Sequence, residues 1–198
     1  MRKRWVAWSV VGLASAVLVA CASDKEPAEM AIKAAENAVN AAVAEASKYV
    51  PDQVKSVQDA VKGLKDSFAK GDYKAVLTGA GDVTAKAKAL ADAAAAKKAE
   101  LTKSWQEMSS GLPKVVEAIK SRVDVLSKSK KLPANVSKAT VDSARSGLAQ
   151  INKTWTDAQD AFKSGNVADA ISKANAVKTQ AAEIMTKLRM EVPAALKS

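Results

Sequence analysis

The side chains that most enzymes use for catalysis are scarce in this chain. Its 198 residues include no histidine, and Cys21 is the single cysteine. Histidine general bases, Ser-His and Cys-His nucleophile pairs and histidine-containing zinc sites are therefore excluded. No segment resembles a calcium-binding loop, a phosphate-binding glycine loop or a dinucleotide fingerprint. We therefore expect no enzymatic activity, no cofactor and no metal.

Carboxylates are the acidic groups that remain, and some lie near expected turns. Asp66 and Asp72 flank one turn and Asp160 precedes a second. Such groups can transfer protons or bind calcium, but here lysines alternate with them at helical spacing, as Lys70 does beside Asp66. This alternation is typical of a solvated helix face.

The first twenty residues have the pattern of a secretion signal. A basic start at Arg2, Lys3 and Arg4 precedes an apolar run over 6–19. This run of about 14 residues is shorter than the roughly 20 that a helix needs to span a bilayer, and polar residues follow it. A cleaved signal peptide over 1–20 is therefore favoured over a retained anchor.

The end of that run, Leu18-Val19-Ala20-Cys21, resembles the lipobox of bacterial lipoproteins. In proteins with this motif the cysteine sulfur is diacylglycerylated, the peptide is cut before it, and the new amino terminus is acylated. The resemblance implies attachment to a membrane through lipid on Cys21, because several acyl chains anchor a protein stably. Ala22, rather than aspartate, follows the cysteine, and in enteric bacteria this implies the outer membrane, with the protein facing the periplasm. The alternative is an ordinary signal with a chance cysteine.

The rest of the chain is predicted to be all-α. Apolar residues recur at intervals of three and four with almost no alternation of period two, and 38 of the chain's 42 alanines lie in this part and favour helix. Prolines and glycines punctuate the pattern, including Gly111-Leu112-Pro113. We expect about six helices, over 27–49, 51–70, 73–109, 114–127, 135–163 and 167–191. A third helix of about 55 Å predicts an elongated bundle of antiparallel helical hairpins.

The organisation along the chain follows from these segments. After the signal peptide we expect a short tether over 21–26 and a first alanine-rich helical region over 27–110. A second helical region follows over 111–192, and we expect it to pack with the first as one domain. The chain then ends in a tail over 193–198.

A shift of 94 residues brings two segments into register. Phe68 falls on Phe162 and Gly71 on Gly165, and apolar positions agree over roughly 35 residues. The agreement predicts an internal duplication of a helical hairpin. Convergence of two amphipathic hairpins is the alternative.

Residues 25–100 resemble a group of bacterial envelope lipoproteins that share a helical domain of unknown function. The resemblance rests on an alanine-rich helix, the segment Tyr49-Val50-Pro51, and a second helix that ends in the turn Gly71-Asp72-Tyr73. It implies the fold and an envelope location, and no activity. Longer members carry an OmpA-like peptidoglycan-binding domain that is not seen in this sequence, so peptidoglycan binding is not implied.

Two groups of residues are candidates for contacts. Trp105 and Trp155 lie on or beside apolar stripes, where they could border a groove or fill a core of small residues. Lys128, Lys130 and Lys131 form a basic loop that could contact anionic lipid head groups or acidic glycan, unless these lysines only maintain solubility. No aromatic residues are interleaved with the lysines for base stacking, so no nucleic acid is expected.

These observations favour a non-enzymatic, lipid-anchored scaffold or adaptor that presents helical surfaces to another envelope protein. The alternative is a small-ligand or lipid-binding module with a groove between helical hairpins. The sequence predicts neither the identity of a partner nor the oligomeric state.

Overall fold

The computed structural model describes residues 24–196, and these residues form helices and no strands. The all-α prediction is therefore confirmed for this part of the chain. Its helices are α1 (Lys25–Tyr49), α2 (Pro51–Ala69), α3 (Tyr73–Lys128), α4 (Lys138–Lys163), α5 (Val167–Lys187) and a short 3₁₀ helix (Ala194–Leu196). The predicted count of about six is wrong, since the described residues contain five α-helices.

The difference arises at Pro113, where α3 continues through the predicted break. Leu112 is 4% exposed and lies seven residues from both Trp105 and Ile119, which are also buried. The apolar spacing therefore continues across the proline, whereas the ring of Pro113 faces solvent and displaces no core side chain. Packing of this face outweighs the penalty of about 3 kcal/mol that proline carries inside a helix.

Two other helix ends differ from the prediction because of local backbone geometry. Asn135 has a φ of 67°, in the left-handed region, so α4 cannot begin there. It begins after Ser137, whose side chain accepts a hydrogen bond of 3.1 Å from the amide of Thr140. At the end of α5, Arg189 has a φ of 55°, which stops the helix near Lys187 rather than near residue 191.

The chain divides into two compact units, with the boundary between Asp92 and Ala93. Unit 1 contains α1, α2 and the first part of α3. Unit 2 contains the rest of α3 with α4, α5 and the 3₁₀ helix.

Small side chains dominate the core of unit 1. The buried residues of α1 recur at three and four, as one stripe requires: Ala28, Ile32, Ala35, Val39, Ala42, Ala46 and Tyr49. Gly79 of α3 permits close packing against α2, since a Cβ atom there would lie 2.9 Å from Leu64 Cδ2.

Larger side chains fill the core of unit 2. Three of these side chains are fully buried: Ile119 of α3, Ile151 of α4 and Leu188, which directly follows α5. Close approach again depends on a glycine, because a Cβ atom at Gly147 of α4 would lie 2.8 Å from Ile184 Cδ1 of α5.

The turn between α2 and α3 and the turn between α4 and α5 have the same backbone geometry. Gly71 and Gly165 have φ values of 79° and 80°, in the left-handed region that favours glycine. The amide of Gly71 donates to the carbonyl of Phe68 at 3.0 Å, and the amide of Gly165 donates to the carbonyl of Phe162 at 2.9 Å. The amide of the following residue, Asp72 or Asn166, donates to the carbonyl of the residue five positions earlier. This pair of hydrogen bonds makes each turn a Schellman motif.

The caps that follow these turns also correspond. Asp72 Oδ1 accepts from the amide of Ala75 at 3.1 Å, and Asn166 Oδ1 accepts from the amide of Asp169 at 3.4 Å. Asp72 and Asn166 are related by the same shift of 94 residues as the glycines before them.

Burial agrees under this shift as well. Eight pairs of positions are buried in both hairpins: Val54 and Leu148, Val57 and Ile151, Leu64 and Ala158, Val76 and Ala170, Ala80 and Ala174, Val83 and Val177, Ala87 and Ala181, and Leu90 and Ile184. The pair Leu77 and Ile171 differs, because Leu77 is 39% exposed whereas Ile171 is 9% exposed.

Candidate functional site

The predicted lipid-attachment residue, Cys21, lies outside the described residues 24–196, as does the predicted signal peptide. Because α1 begins at Lys25, its first residues overlap the predicted tether over 21–26. Within the described range, no helix has the combination of length and apolar composition needed to cross a membrane.

The structure brings Trp105 and Trp155 together, although they are on different helices. Their rings stack with centroids 5.3 Å apart and planes at 15°. Phe162 stacks on Trp105 as well, at 4.8 Å and 11°. Trp105 is buried, and its two partners on α4 are half-buried.

The spacing of the partners on α4 explains this arrangement. Trp155 and Phe162 are seven residues apart, which corresponds to about 10.5 Å along a helix and leaves room for one ring between theirs. The indole of Trp105 occupies that room. The tryptophans are therefore stacked against each other and do not face each other across an open groove. Phe162 was missed as a partner, although its spacing from Trp155 placed it on the same face.

An apolar depression borders the next turns of α3. Its volume is about 350 Å³. Residues from α3, from α5 and from the segment after α5 line it, among them Met108, Leu112, Val115, Lys178, Pro193 and Leu196. A depression of this size falls at the lower end of the range for small-ligand sites.

The predicted basic loop lies at the connection between α3 and α4. Lys128 is the last residue of α3, Lys130 and Lys131 follow it, and all three are exposed. The structure adds two cations that sequence reasoning missed, Lys138 in the first turn of α4 and Arg145 two turns later. We call these five residues the basic tip.

A hydrogen bond joins the two sides of the basic tip. Arg145 Nη2 donates to Ser127 Oγ at 2.8 Å, and Ser127 Oγ donates to the carbonyl of Val123 at 2.7 Å. The sequence could not reveal this contact, because it depends on α3 and α4 lying side by side near their connection.

Two of the carboxylates considered for catalysis or calcium binding have lysine partners, whereas Asp72 caps α3. Asp66 pairs with Lys62 at 3.3 Å and Asp160 pairs with Lys163 at 3.3 Å, each within one exposed helix face. Among the described residues, no group of three or more cysteine, aspartate or glutamate side chains is arranged to hold a metal ion.

Comparison of the chain with protein-family models, with curated proteins and with solved structures gives no match. The resemblance to helical envelope lipoproteins therefore stays a prediction from the sequence.

Proposed function

We propose that the protein is a lipid-anchored envelope lipoprotein that acts as a non-enzymatic scaffold or adaptor. Cys21, in the segment Leu18-Val19-Ala20-Cys21, is the proposed anchor, with the outer membrane as its location and the periplasm as the side it faces. The helices that follow would present their exposed faces to another envelope protein.

The observation that carries the scaffold proposal is the likeness of the two helical hairpins. The turns at Gly71 and Gly165 share their φ values and hydrogen bonds, and the flanking helices share their buried positions. We infer that one hairpin arose from the other by duplication. Repeated helical hairpins are a common way of building extended binding surfaces, because each hairpin needs only its inner face for packing.

The exposed Leu77 marks where such a surface differs between the hairpins. Its counterpart Ile171 packs in the core of unit 2, whereas 39% of the surface of Leu77 is open to solvent. The two hairpins therefore present different side chains to solvent at this position, which makes Leu77 a suitable position at which to test for a partner.

The anchor is tested by metabolic labelling with palmitate in bacteria that express the full chain. Wild type should be labelled, Cys21→Ser should not, and the neighbouring control Ala22→Ser should be labelled as wild type is. An unlabelled wild type would refute the anchor.

The scaffold is tested by placing a photo-crosslinking amino acid at Leu77 and, as a control, at the exposed Lys86 on α3. We expect one defined adduct from Leu77, identified by mass spectrometry as a single envelope protein, and none from Lys86. Equal yields at both positions, or no adduct at either, would count against a specific partner.

A small-ligand or lipid-binding module is the second candidate, and the depression beside Met108 favours it. Native mass spectrometry of the purified full chain should then show a bound molecule. Met108→Trp would fill the depression, so this variant should no longer carry the molecule. Met30→Trp on α1, at a side chain that is 68% exposed, is the control.

A further inference from the structure

The excess positive charge of the described residues belongs to unit 2. The described residues of unit 1, 24–92, include 10 lysines and no arginine against 11 acidic residues, whereas those of unit 2, 93–196, include 17 lysines and arginines against 10 acidic residues. A face with clustered cations attracts anionic partners over distances comparable to the Debye length.

Within unit 2 the cations are concentrated at the basic tip. Residues 126–145 contain its five cations and one carboxylate, Asp142. None of the five has a carboxylate of the described residues within 4.0 Å. Elsewhere in unit 2, by contrast, Lys120 contacts Glu117 and Asp124 at 3.6 and 3.7 Å. The tip therefore keeps an excess of positive charge, because Asp142 is the one carboxylate set against its five cations.

The tip encloses a surface depression of about 360 Å³ that is both cationic and apolar. Its lining includes the cations Lys130, Lys138 and Arg145, one carboxylate, Asp142, and the apolar side chains Leu126, Leu132 and Val141. The hydroxyl groups of Ser127 and Ser129 also border it. An anionic group with attached hydrocarbon would match both properties of this lining.

The loop that carries these groups is held in place. Val136 is 5% exposed and packs inward, and its amide donates to the carbonyl of Pro133 at 3.1 Å. Ser137 caps α4, and Arg145 donates across to Ser127. The cations are thus presented from an ordered loop, which lowers the entropic cost of binding.

Helix electrostatics explain Lys128 but not Lys138. A cation at the C-terminal end of a helix interacts favourably with the helix dipole, as Lys128 does at the end of α3. Lys138 occupies the first turn of α4, where the dipole is positive and which contains no acidic residue. A bound anion would relieve this repulsion.

We propose that the basic tip binds the anionic head groups of a phospholipid surface. The tip supplies lysines for lipid phosphates, and Val125, which is 60% exposed in the last turn of α3, supplies an apolar side chain for the interface. No aromatic residue occurs over 106–154, so the tip lacks the rings that stack on nucleic-acid bases and on sugars. The inference goes beyond the scaffold function and does not require acylation of Cys21.

The test compares partition of the full chain into two kinds of vesicle, phosphatidylcholine alone and phosphatidylcholine mixed with phosphatidylglycerol. The measured quantity is the partition coefficient into the mixed vesicles divided by that into phosphatidylcholine alone. Insertion of the apolar residues 6–19 contributes to both coefficients and cancels in this ratio. The tip variant changes Lys128, Lys130, Lys131 and Lys138 to glutamine. The matched control changes Lys70, Lys74, Lys86 and Lys88 of unit 1 to glutamine and alters the net charge equally.

Each lysine near an anionic surface strengthens binding by about fivefold. We therefore expect the wild type to favour the anionic vesicles. In the tip variant the ratio of the two partition coefficients should fall at least about fiftyfold, and in the control it should fall less than about threefold. Amide exchange over 126–141 should slow with anionic vesicles and not with phosphatidylcholine. Circular dichroism should show the same helix content in all three proteins, because every altered lysine is exposed.

Several outcomes would overturn the proposal. Equal losses in the tip and control variants would assign the effect to net charge rather than to the tip. A wild-type ratio near one would exclude anionic lipid as the partner. Slowing of exchange over 126–141 by an acidic polysaccharide, with no slowing by anionic vesicles, would assign the tip to glycan instead.

Discussion

The indole of Trp105 and the phenyl ring of Phe162 stack with centroids 4.8 Å apart and planes at 11°, which ties α3 to α4 in unit 2. Trp105→Ala should lower the free energy of unfolding by about 3–5 kcal/mol, because it removes a large buried side chain and leaves a cavity. Urea denaturation followed by circular dichroism measures this change.

Phe162→Leu serves as the matched variant for the stack. It keeps an apolar side chain on α4 but loses the ring contact, so the expected loss is about 0.5–1.5 kcal/mol. A cost below 1 kcal/mol for Trp105→Ala would show that the aromatic cluster is not a principal support of unit 2.

Two neighbouring glycines of α3 should respond differently to substitution by alanine. A Cβ atom at Gly79 would meet Leu64 Cδ2 at 2.9 Å, whereas a Cβ atom at Gly81 would meet nothing within 4 Å. Gly81→Ala should raise the free energy of unfolding by about 0.5–1 kcal/mol through helix propensity. Gly79→Ala should show a smaller gain or a loss, because Leu64 must move. Equal gains from both substitutions, measured by urea denaturation, would contradict the packing described between α2 and α3.

Pro113→Ala tests the continuity of α3. Alanine restores the missing amide donor at an exposed position, and it should raise the free energy of unfolding by about 1–3 kcal/mol. Thermal unfolding measures the gain. Pro133→Ala, in the loop between α3 and α4, is the control and should give no such increase. If a break at 111–113 separated two helices, Pro113→Ala would behave like this control.

The turns should show matching sensitivities. Gly71→Ala and Gly165→Ala force a Cβ atom into left-handed backbone, and each should cost about 1–2 kcal/mol. Arg189 also lies in the left-handed region, with a φ of 55°, although it is not a glycine. Arg189→Gly should therefore stabilise the protein by up to about 1 kcal/mol. Chemical denaturation of each single variant provides the comparison. A cost at Gly71 with none at Gly165 would argue against equivalent turns.

Helix positions could be predicted where a local pattern decides them. The stripe from Ala28 to Ala46 depends only on spacing within α1, and the turn at Gly71 depends on a glycine that adopts a positive φ. Pro113 misled the prediction because its local penalty is overcome by the packing of Leu112, and the spacing of seven residues from Leu112 to Trp105 and to Ile119 was the signal that the helix continues.

The candidate contact residues divide in a similar way. Lys128, Lys130 and Lys131 are neighbours in sequence, so their grouping was visible before the structure. Lys138 and Arg145 join them only because α4 turns back beside α3. The contact between Trp105 and Trp155 likewise follows from how two helices are paired, and residue types alone do not specify that pairing.

The alanines of α1 have a consequence for the order in which the protein opens. Four of its seven buried residues are alanine, so the helix removes little hydrocarbon from water for its length of 25 residues. Local opening costs least where the fewest apolar atoms are lost from the core. The amides of α1 should therefore exchange with deuterium sooner than those of α5, whose buried set includes valine, isoleucine and methionine. Transient unfolding would expose α1, the helix nearest the proposed anchor, before α5, and a protease would cleave bonds of α1 sooner than bonds of α5.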